Sequence, residues 1–267
     1  MKQSLINLIF FSDRRKELLL LLKEEPRDID TIKELLNVDA GSIQPHIKKM
    51  KEAQLITETK KVYSLSEIGK IIVENLGPLL NTVEVLEVDD DYWKTRDLTS
   101  IPDFLLDRID ELGHCELIEP DVEHMLETPK TLLENLLSSK EVLTFVTYFH
   151  PEAPSLYADL AENGTRITLC TTENVAERLF SNFSEEANRL SRNGNSKIFV
   201  CQKPASIPSI VVTDRFLALK LYENNGKLRD QLLISADERA LGWGKELFWY
   251  CVRITESIEK SNYLDAI

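Results

Sequence analysis

The hydrophobic pattern of the first 65 residues changes from a helical to an alternating period. From Arg14-Arg15-Lys16 the chain enters Leu18 to Leu22 and halts before Pro26, which predicts a first helix. Asp28 suits the N-cap of a second helix through Asn37, with Ile29, Ile32, Leu35 and Leu36 on its inner face and Asp30 near its positive end. The polar turn Val38 to Gly41 leads into a third helix over 42–53. There Ile43, Ile47 and Met50 recur on one face, and Pro45, Lys48, Lys49 and Glu52 point away from it, flanked by Ser42 and Gln44. Two short runs, Leu55 to Thr59 and Val62 to Leu65, flank Lys60-Lys61 and predict a hairpin with a basic tip. Three helices followed by such a hairpin predict a winged helix-turn-helix whose third helix faces the major groove of DNA.

Ser64-Leu-Ser-Glu67 fits a capping box for a long helix. Its apolar positions, Leu65, Ile68, Ile72, Leu76, Leu79, Val83 and Leu86, fall three or four apart, and Gly77-Pro78 should kink it. The stripe serves equally as packing on its own domain or as a dimerisation face. Beyond Asp89-Asp-Asp91 the pattern shifts. Helices are expected from Thr99-Ser-Ile-Pro102 and over Leu132 to Leu137. Strands follow at Val142 to Phe149, Arg166 to Thr171, Lys197 to Cys201, Ser209 to Thr213 and Phe216 to Tyr222. Helical segments at Pro154 to Glu162 and Val175 to Leu190 separate the earlier strands, so part of the sheet should be parallel. Thr213-Asp214-Arg215 predicts a hairpin, and an aromatic-rich helix, Gly244 to Glu259, closes the pattern. The expected fold class is α/β: a winged helix-turn-helix over 1–65, a linker or dimerisation helix over 66–95, and an α/β effector or sensor domain over 96–267.

Charge refines this picture. The 267 residues carry a formal net charge of −13, which disfavours DNA as a partner unless basic residues are segregated. They are: residues 1–70 hold 13 Lys and Arg against 11 Asp and Glu, whereas the remainder holds 19 against 34. Between 41 and 63 there are five lysines and two glutamates. The expected DNA contacts are Ser42, Gln44, Lys48 and Lys49 from the third helix, with Lys60, Lys61 and Tyr63 from the hairpin. His46 lies toward the core-facing flank, where it supports the helix or meets a phosphate. No apolar run is long enough to span a bilayer, and the charges that follow the short apolar N-terminal stretch argue against a signal peptide. A cytoplasmic protein is expected, with no membrane partner and no cofactor.

The catalytic inventory is thin. GxGxxG, Walker, GxSxG and HExxH patterns do not occur. Cys115, Cys170, Cys201 and Cys251 are scattered without a CxxC pair, so neither a zinc site nor a disulfide framework is expected, and His114, Cys115 and His124 want a fourth close ligand. A small molecule, if bound, belongs at the carboxyl ends of the parallel strands, which nominates Tyr148, His150, Thr171, Thr172 and Cys201. His150 could equally cap a neighbouring helix, and Asp214-Arg215 could form a structural ion pair.

Four stretches carry a family resemblance: Glu116-Leu-Ile-Glu-Pro-Asp121, Phe149-His-Pro-Glu-Ala-Pro-Ser-Leu156, Val211-Val-Thr-Asp-Arg-Phe-Leu217 and Trp243-Gly-Lys-Glu-Leu-Phe248. In order and spacing the chain resembles archaeal, mainly methanogen, winged-helix regulators with the methanogenesis-regulator middle domain. Its N-terminal part is similar to arsenic-repressor-like winged helices, whose reader helix has Ser, then His four residues on, then basic residues; here these are Ser42, His46, Lys48 and Lys49. Such regulators commonly have Gly before the final Leu-Ile, where this chain has Gln54, which should alter the turn into the hairpin. The resemblance implies transcriptional regulation as a homodimer, with double-stranded DNA as partner and an unnamed small-molecule or protein effector. The α/β half is also distantly similar to the phospholipase-D-type fold without its catalytic motif: of four histidines only His46 has a Lys two residues on, and it sits in the reader helix. Two rivals remain, a winged-helix protein-interaction module and, with only fold analogy behind it, a small-molecule-processing enzyme.

Overall fold

The computed structural model describes residues 4–89, 91–120, 128–202, 206–254 and 258–259. The chain divides into two compact units, Met1–Leu80 and Asn81–Ile267. The first unit contains α1 (Leu5–Phe10), α2 (Asp13–Glu24), β1 (Arg27–Asp28), α3 (Ile29–Leu35), α4 (Ala40–Glu52), β2 (Ile56–Thr59) and β3 (Val62–Leu65), followed by α5 (Glu67–Leu86), within which the division falls. Leu18, Leu19, Ile32, Ile43, Ile47, Met50, Leu55 and Val73 form its core, so the predicted inner faces of the three helices meet, except that Leu35, expected on the inner face of α3, is exposed. α1 and β1 escape the sequence pattern, and β1 completes a three-stranded antiparallel sheet in the order β1-β3-β2.

The junctions are local chemistry. Asp28 accepts the Thr31 N–H at 2.9 Å, as expected of an N-cap. At the other end of α3, Asn37 adopts φ 50°, and the Val38 N–H closes on the Lys33 carbonyl at 3.0 Å. Asp39 then caps α4 through the Ser42 N–H at 2.8 Å. α4 therefore starts two residues before the expected Ser42, and Pro45 is interior to it. α4 ends in the same motif as α3, with Gln54 at φ 58° and the Leu55 N–H on the Met50 carbonyl at 2.9 Å. The expected alteration is thus absent: Gln54 takes the left-handed conformation that glycine adopts more cheaply. α5 is capped by Ser66, whose hydroxyl accepts the Gly69 N–H at 3.0 Å; Ser64 belongs to β3. α5 continues through Pro78 as one helix. A Cβ on Gly69 would overlap the Leu55 carbonyl oxygen, so this position admits glycine alone without a shift.

The second unit contains α6 (Tyr92–Thr95), α7 (Asp103–Leu106), β4 (Cys115–Ile118), α8 (Lys130–Leu137), β5 (Glu141–Val146), α9 (Ala153–Glu162), β6 (Arg166–Thr172), α10 (Glu173–Asn182), α11 (Ser184–Arg192), β7 (Ser196–Cys201), β8 (Ser209–Thr213), β9 (Leu217–Lys220), β10 (Leu232–Ser235), α12 (Glu238–Ile254) and β11 (Ile258–Glu259). One sheet has the order β11-β7-β6-β5-β8-β9-β10-β4, with β5, β6 and β7 parallel and its other pairings antiparallel. Leu136, Leu160, Leu179 and Leu190 of α8 to α11 join the core on one face of the sheet. On the other face lie Trp243, Leu247 and Phe248 of α12, with Tyr92, Trp93 and Leu105.

Several expectations give way. The helix expected at Thr99 is a 3-10 turn, Leu98–Ser100, followed by the short α7. The single segment at Val175 to Leu190 is two helices, and the closing helix begins earlier, at Glu238, and has given way to β11 by Ile258. Asp214 makes no ion pair with Arg215 among the described residues; its carboxylate accepts the Lys140 and Glu141 N–H groups at 2.8 and 3.3 Å. No helix among the described residues is long and apolar enough to cross a membrane.

Candidate functional site

In the first unit, the outward face of α4 carries Gln44, Pro45, Lys48, Lys49 and Glu52, all exposed. Helical spacing puts Ser42 and His46 on the flank of that face. Ser42 is exposed, and its hydroxyl donates to the Asp39 carbonyl at 2.9 Å, which leaves its lone pairs to accept. Lys48 and Glu52 approach to only 4.0 Å, a contact of small worth between exposed groups. Lys51, by contrast, donates to Glu58 of β2 at 2.5 Å and so ties α4 to the hairpin. That hairpin turns at Lys60 and Lys61, at φ 50° and 66°, both exposed, with Thr59 paired to Val62. Two left-handed residues in a two-residue loop fit the type I′ turn, a geometry usually given to Asn-Gly. Tyr63, the remaining expected contact of the hairpin, is half-buried against the core of the unit.

His46 is also half-buried, its Nδ1 3.5 Å from the Ser12 hydroxyl. Burial first, and then the charges of Arg15, Lys49 and Arg14, hold its pKa below the ordinary histidine value, so it is neutral at pH 7. Periodicity gave no sign of Arg15. This residue of α2 is buried with Nε and Nη1 unpartnered among the described residues, which is unusual for a guanidinium. The signal available in the sequence was the Arg14-Arg15 pair at the start of α2, read there only as a helix boundary.

The second unit holds a cavity of about 320 Å³ between the sheet and α8 to α11. Leu136, Leu169, Leu179, Leu190, Val211 and Leu232 line it, although each is itself a buried core residue. At the carboxyl end of β5, polar groups gather: Tyr148, His150, Lys220 and Asp230. Lys220 forms an ion pair with Asp230 and sits 5.4 Å from the centre of the Tyr148 ring. Burial pulls the Lys220 pKa down, but Tyr148 and Asp230 outweigh it, so the ammonium stays charged. Burial, the largest influence on His150, brings that imidazole below its ordinary pKa. Of the five nominated residues, Tyr148 and His150 therefore line the cavity. Thr171, Thr172 and Cys201 do not: Thr171 is fully buried and donates to the Val146 carbonyl at 2.8 Å, Thr172 stands at the N-terminus of α10, and Cys201 belongs to the core on the opposite face of the sheet. Strand alternation turns Thr172 and Cys201 away, since a strand end offers only every second side chain to one face; Thr171 shares the face of Leu169 but its hydroxyl is taken up by the neighbouring strand.

His124 lies outside the described residues, and among those described no group of three or more His, Cys, Asp or Glu is placed to hold a metal. The resemblance stretches are partly structural. Trp243 is buried and donates to the Leu105 carbonyl at 2.9 Å, and Phe149 to Leu156 forms part of the cavity wall. Comparison with known proteins agrees with the methanogen-regulator resemblance. The model described as "Methanogenesis regulatory protein FilR1, N-terminal domain" matches residues 3–84, and the model of the middle domain of the same protein matches residues 125–254. The chain belongs to the methanogenesis regulatory protein family. The FilR1 protein of Methanothrix harundinacea (strain 6Ac) is 26% identical over 256 residues, covering 94% of this chain and 57% of its own length. The chain thus spans little more than half of that relative. Among solved structures, TrmBL2, an archaeal chromatin protein with a novel mode of DNA binding, aligns over 80% of this chain and 81% of its own, at 13% identity and TM-score 0.41. The IclR protein of Thermotoga maritima aligns over 90% and 94%, at 13% identity and TM-score 0.23. Neither score is high enough to carry an argument.

Proposed function

We propose that the chain is a transcriptional regulator that binds double-stranded DNA through α4 and the β2–β3 hairpin, a winged helix-turn-helix, and works as a homodimer in the cytoplasm. The observation that carries this reading is the exposed set Lys48, Lys49, Lys60 and Lys61, on a helix and a hairpin tied together by Lys51 and Glu58. Lysines at these places suit phosphates flanking a groove, while Gln44 and Ser42 can meet base edges or backbone. Neutral His46 and buried Arg15 favour a supporting part at the flank of α4. The homodimer is supported by apolar side chains that the first unit leaves exposed, notably Ile6, Phe11, Ile68, Ile71 and Leu79. The name of the FilR1 relative suggests regulation of methanogenesis as the process served, and the cavity of the larger unit suits a small-molecule effector.

Binding to genomic fragments, followed by fluorescence anisotropy on the enriched sequence at several salt concentrations, tests the reading. Replacing Lys48 and Lys49 by Ala should weaken binding and reduce the slope of log affinity on log salt by about 0.9 for each phosphate that is no longer neutralised. Unchanged affinity and slope would remove α4 as the reader.

A further inference from the structure

The cavity has a property that restricts what it can hold: its apolar walls close on a polar end whose charges cancel. Lys220 and Asp230 are paired with each other, their side chains only 15% and 32% exposed, and His150 is neutral at pH 7. The walls around the rest of the space are mainly aliphatic, with the rings of Phe149 and Tyr157 among them and the Tyr157 hydroxyl already given to Thr144 at 3.3 Å. A carboxylate entering tail-first would bring its charge beside Asp230 as well as Lys220, and an ammonium would meet Lys220 as well as Asp230. Either would give up its hydration for a site whose described residues offer no net opposite charge to replace it. An uncharged end group avoids that cost. It can accept hydrogen bonds from Lys220 or Tyr148 and donate to Asp230.

We propose that this cavity binds an uncharged, mainly aliphatic small molecule of roughly ten non-hydrogen atoms that ends in a group both accepting and donating hydrogen bonds, such as an amide or alcohol. The size follows from 320 Å³ at about 30 Å³ for each water-sized atom. The inference rests on the sensor role proposed for the larger unit, and it specifies what is sensed by chemical class.

The probes are four molecules of one chain length: octanamide, 1-octanol, octanoate and octylamine, titrated calorimetrically against the full chain. Octanamide and 1-octanol should bind at least about tenfold more tightly than octanoate or octylamine. Asp230→Asn leaves Lys220 unopposed and should turn the preference toward octanoate; Lys220→Met should turn it toward octylamine. Val211→Phe fills the cavity and should abolish binding of all four, with a retained cooperative melt showing that this variant is folded. Equal affinity for octanoate and octanamide in the unsubstituted chain would overturn the proposal, as would binding of none of the four or preferences unmoved by Asp230→Asn. DNA affinity measured with and without octanamide separates the two readings. Octanamide binding that leaves DNA affinity unchanged supports the ligand class and overturns the sensor role; a DNA response to octanamide supports both.

Discussion

At the scale of single residues, the first unit keeps costly choices where cheaper ones exist. Gln54 sits at φ 58° in the turn that ends α4, with its own N–H on the Lys51 carbonyl and that of Leu55 on Met50. Glycine reaches this conformation without the Cβ penalty, so Gln54→Gly should stabilise the unit by about 1 kcal/mol, read as a raised urea midpoint at unchanged slope. His46 gives the unit a pH dependence. Its folded-state pKa lies below the unfolded value near 6.5, so the unfolded chain takes up this proton more readily. The stabilising contribution is complete above the unfolded pKa and is lost as pH falls through the folded one. Acidification from about pH 7.5 to about pH 5.5 should therefore lower the urea midpoint of the first unit, and His46→Gln should flatten that decline. An unaltered pH profile in the variant would place the effect on another group.

Secondary-structure elements show which parts of the fold a sequence can disclose. α2, α3 and α4 were legible because Leu18, Ile32, Ile43, Ile47 and Met50 repeat within a few residues of one another and all reach the same core. β5 to β9 were legible as dense apolar runs, most of them buried along nearly their whole length. β4 and β10 were not, because each is four residues long and their pairing joins Cys115 to Ser235, far apart in the chain. The cavity was half legible: Tyr148 and His150 end a strand that could be seen, but Lys220 and Asp230 come from β9 and the approach to β10, whose adjacency no local pattern encodes. Capping shows how narrow the ambiguity can be. Both Ser64 and Ser66 precede α5, and the spacing to Glu67 favours Ser64, yet the Gly69 N–H goes to Ser66. Ser66 also donates to the Gln54 carbonyl at 2.5 Å, a contact the capping-box pattern cannot include. Ser66→Ala should cost about 1 kcal/mol, whereas Ser64→Ala should cost much less; a comparison of the two thermal midpoints decides between them.

On the scale of the whole molecule, chemistry is divided between units with separate interiors. The first closes on a single core around Leu18 and Met50, and the second on two layers against one sheet. Cores that share no residues predict two unfolding transitions in calorimetry, and Val211→Phe should move only that of the second unit. One coincident transition shifted by that change would show that the units melt together. The charge is divided as well: all of the surplus acid lies beyond residue 70, so the overall −13 says little about the surface that α4 offers.

The hairpin tip has a consequence for how such a chain drifts. Lysine and asparagine codons differ by one base, and asparagine accepts the left-handed conformation that Lys60 and Lys61 hold against preference. A more comfortable tip is thus a single point mutation away at either position. A population selected only for folding would find asparagine there quickly. One selected for holding DNA would keep both lysines and bear the strain, so the codons at these two positions record which demand the chain has answered.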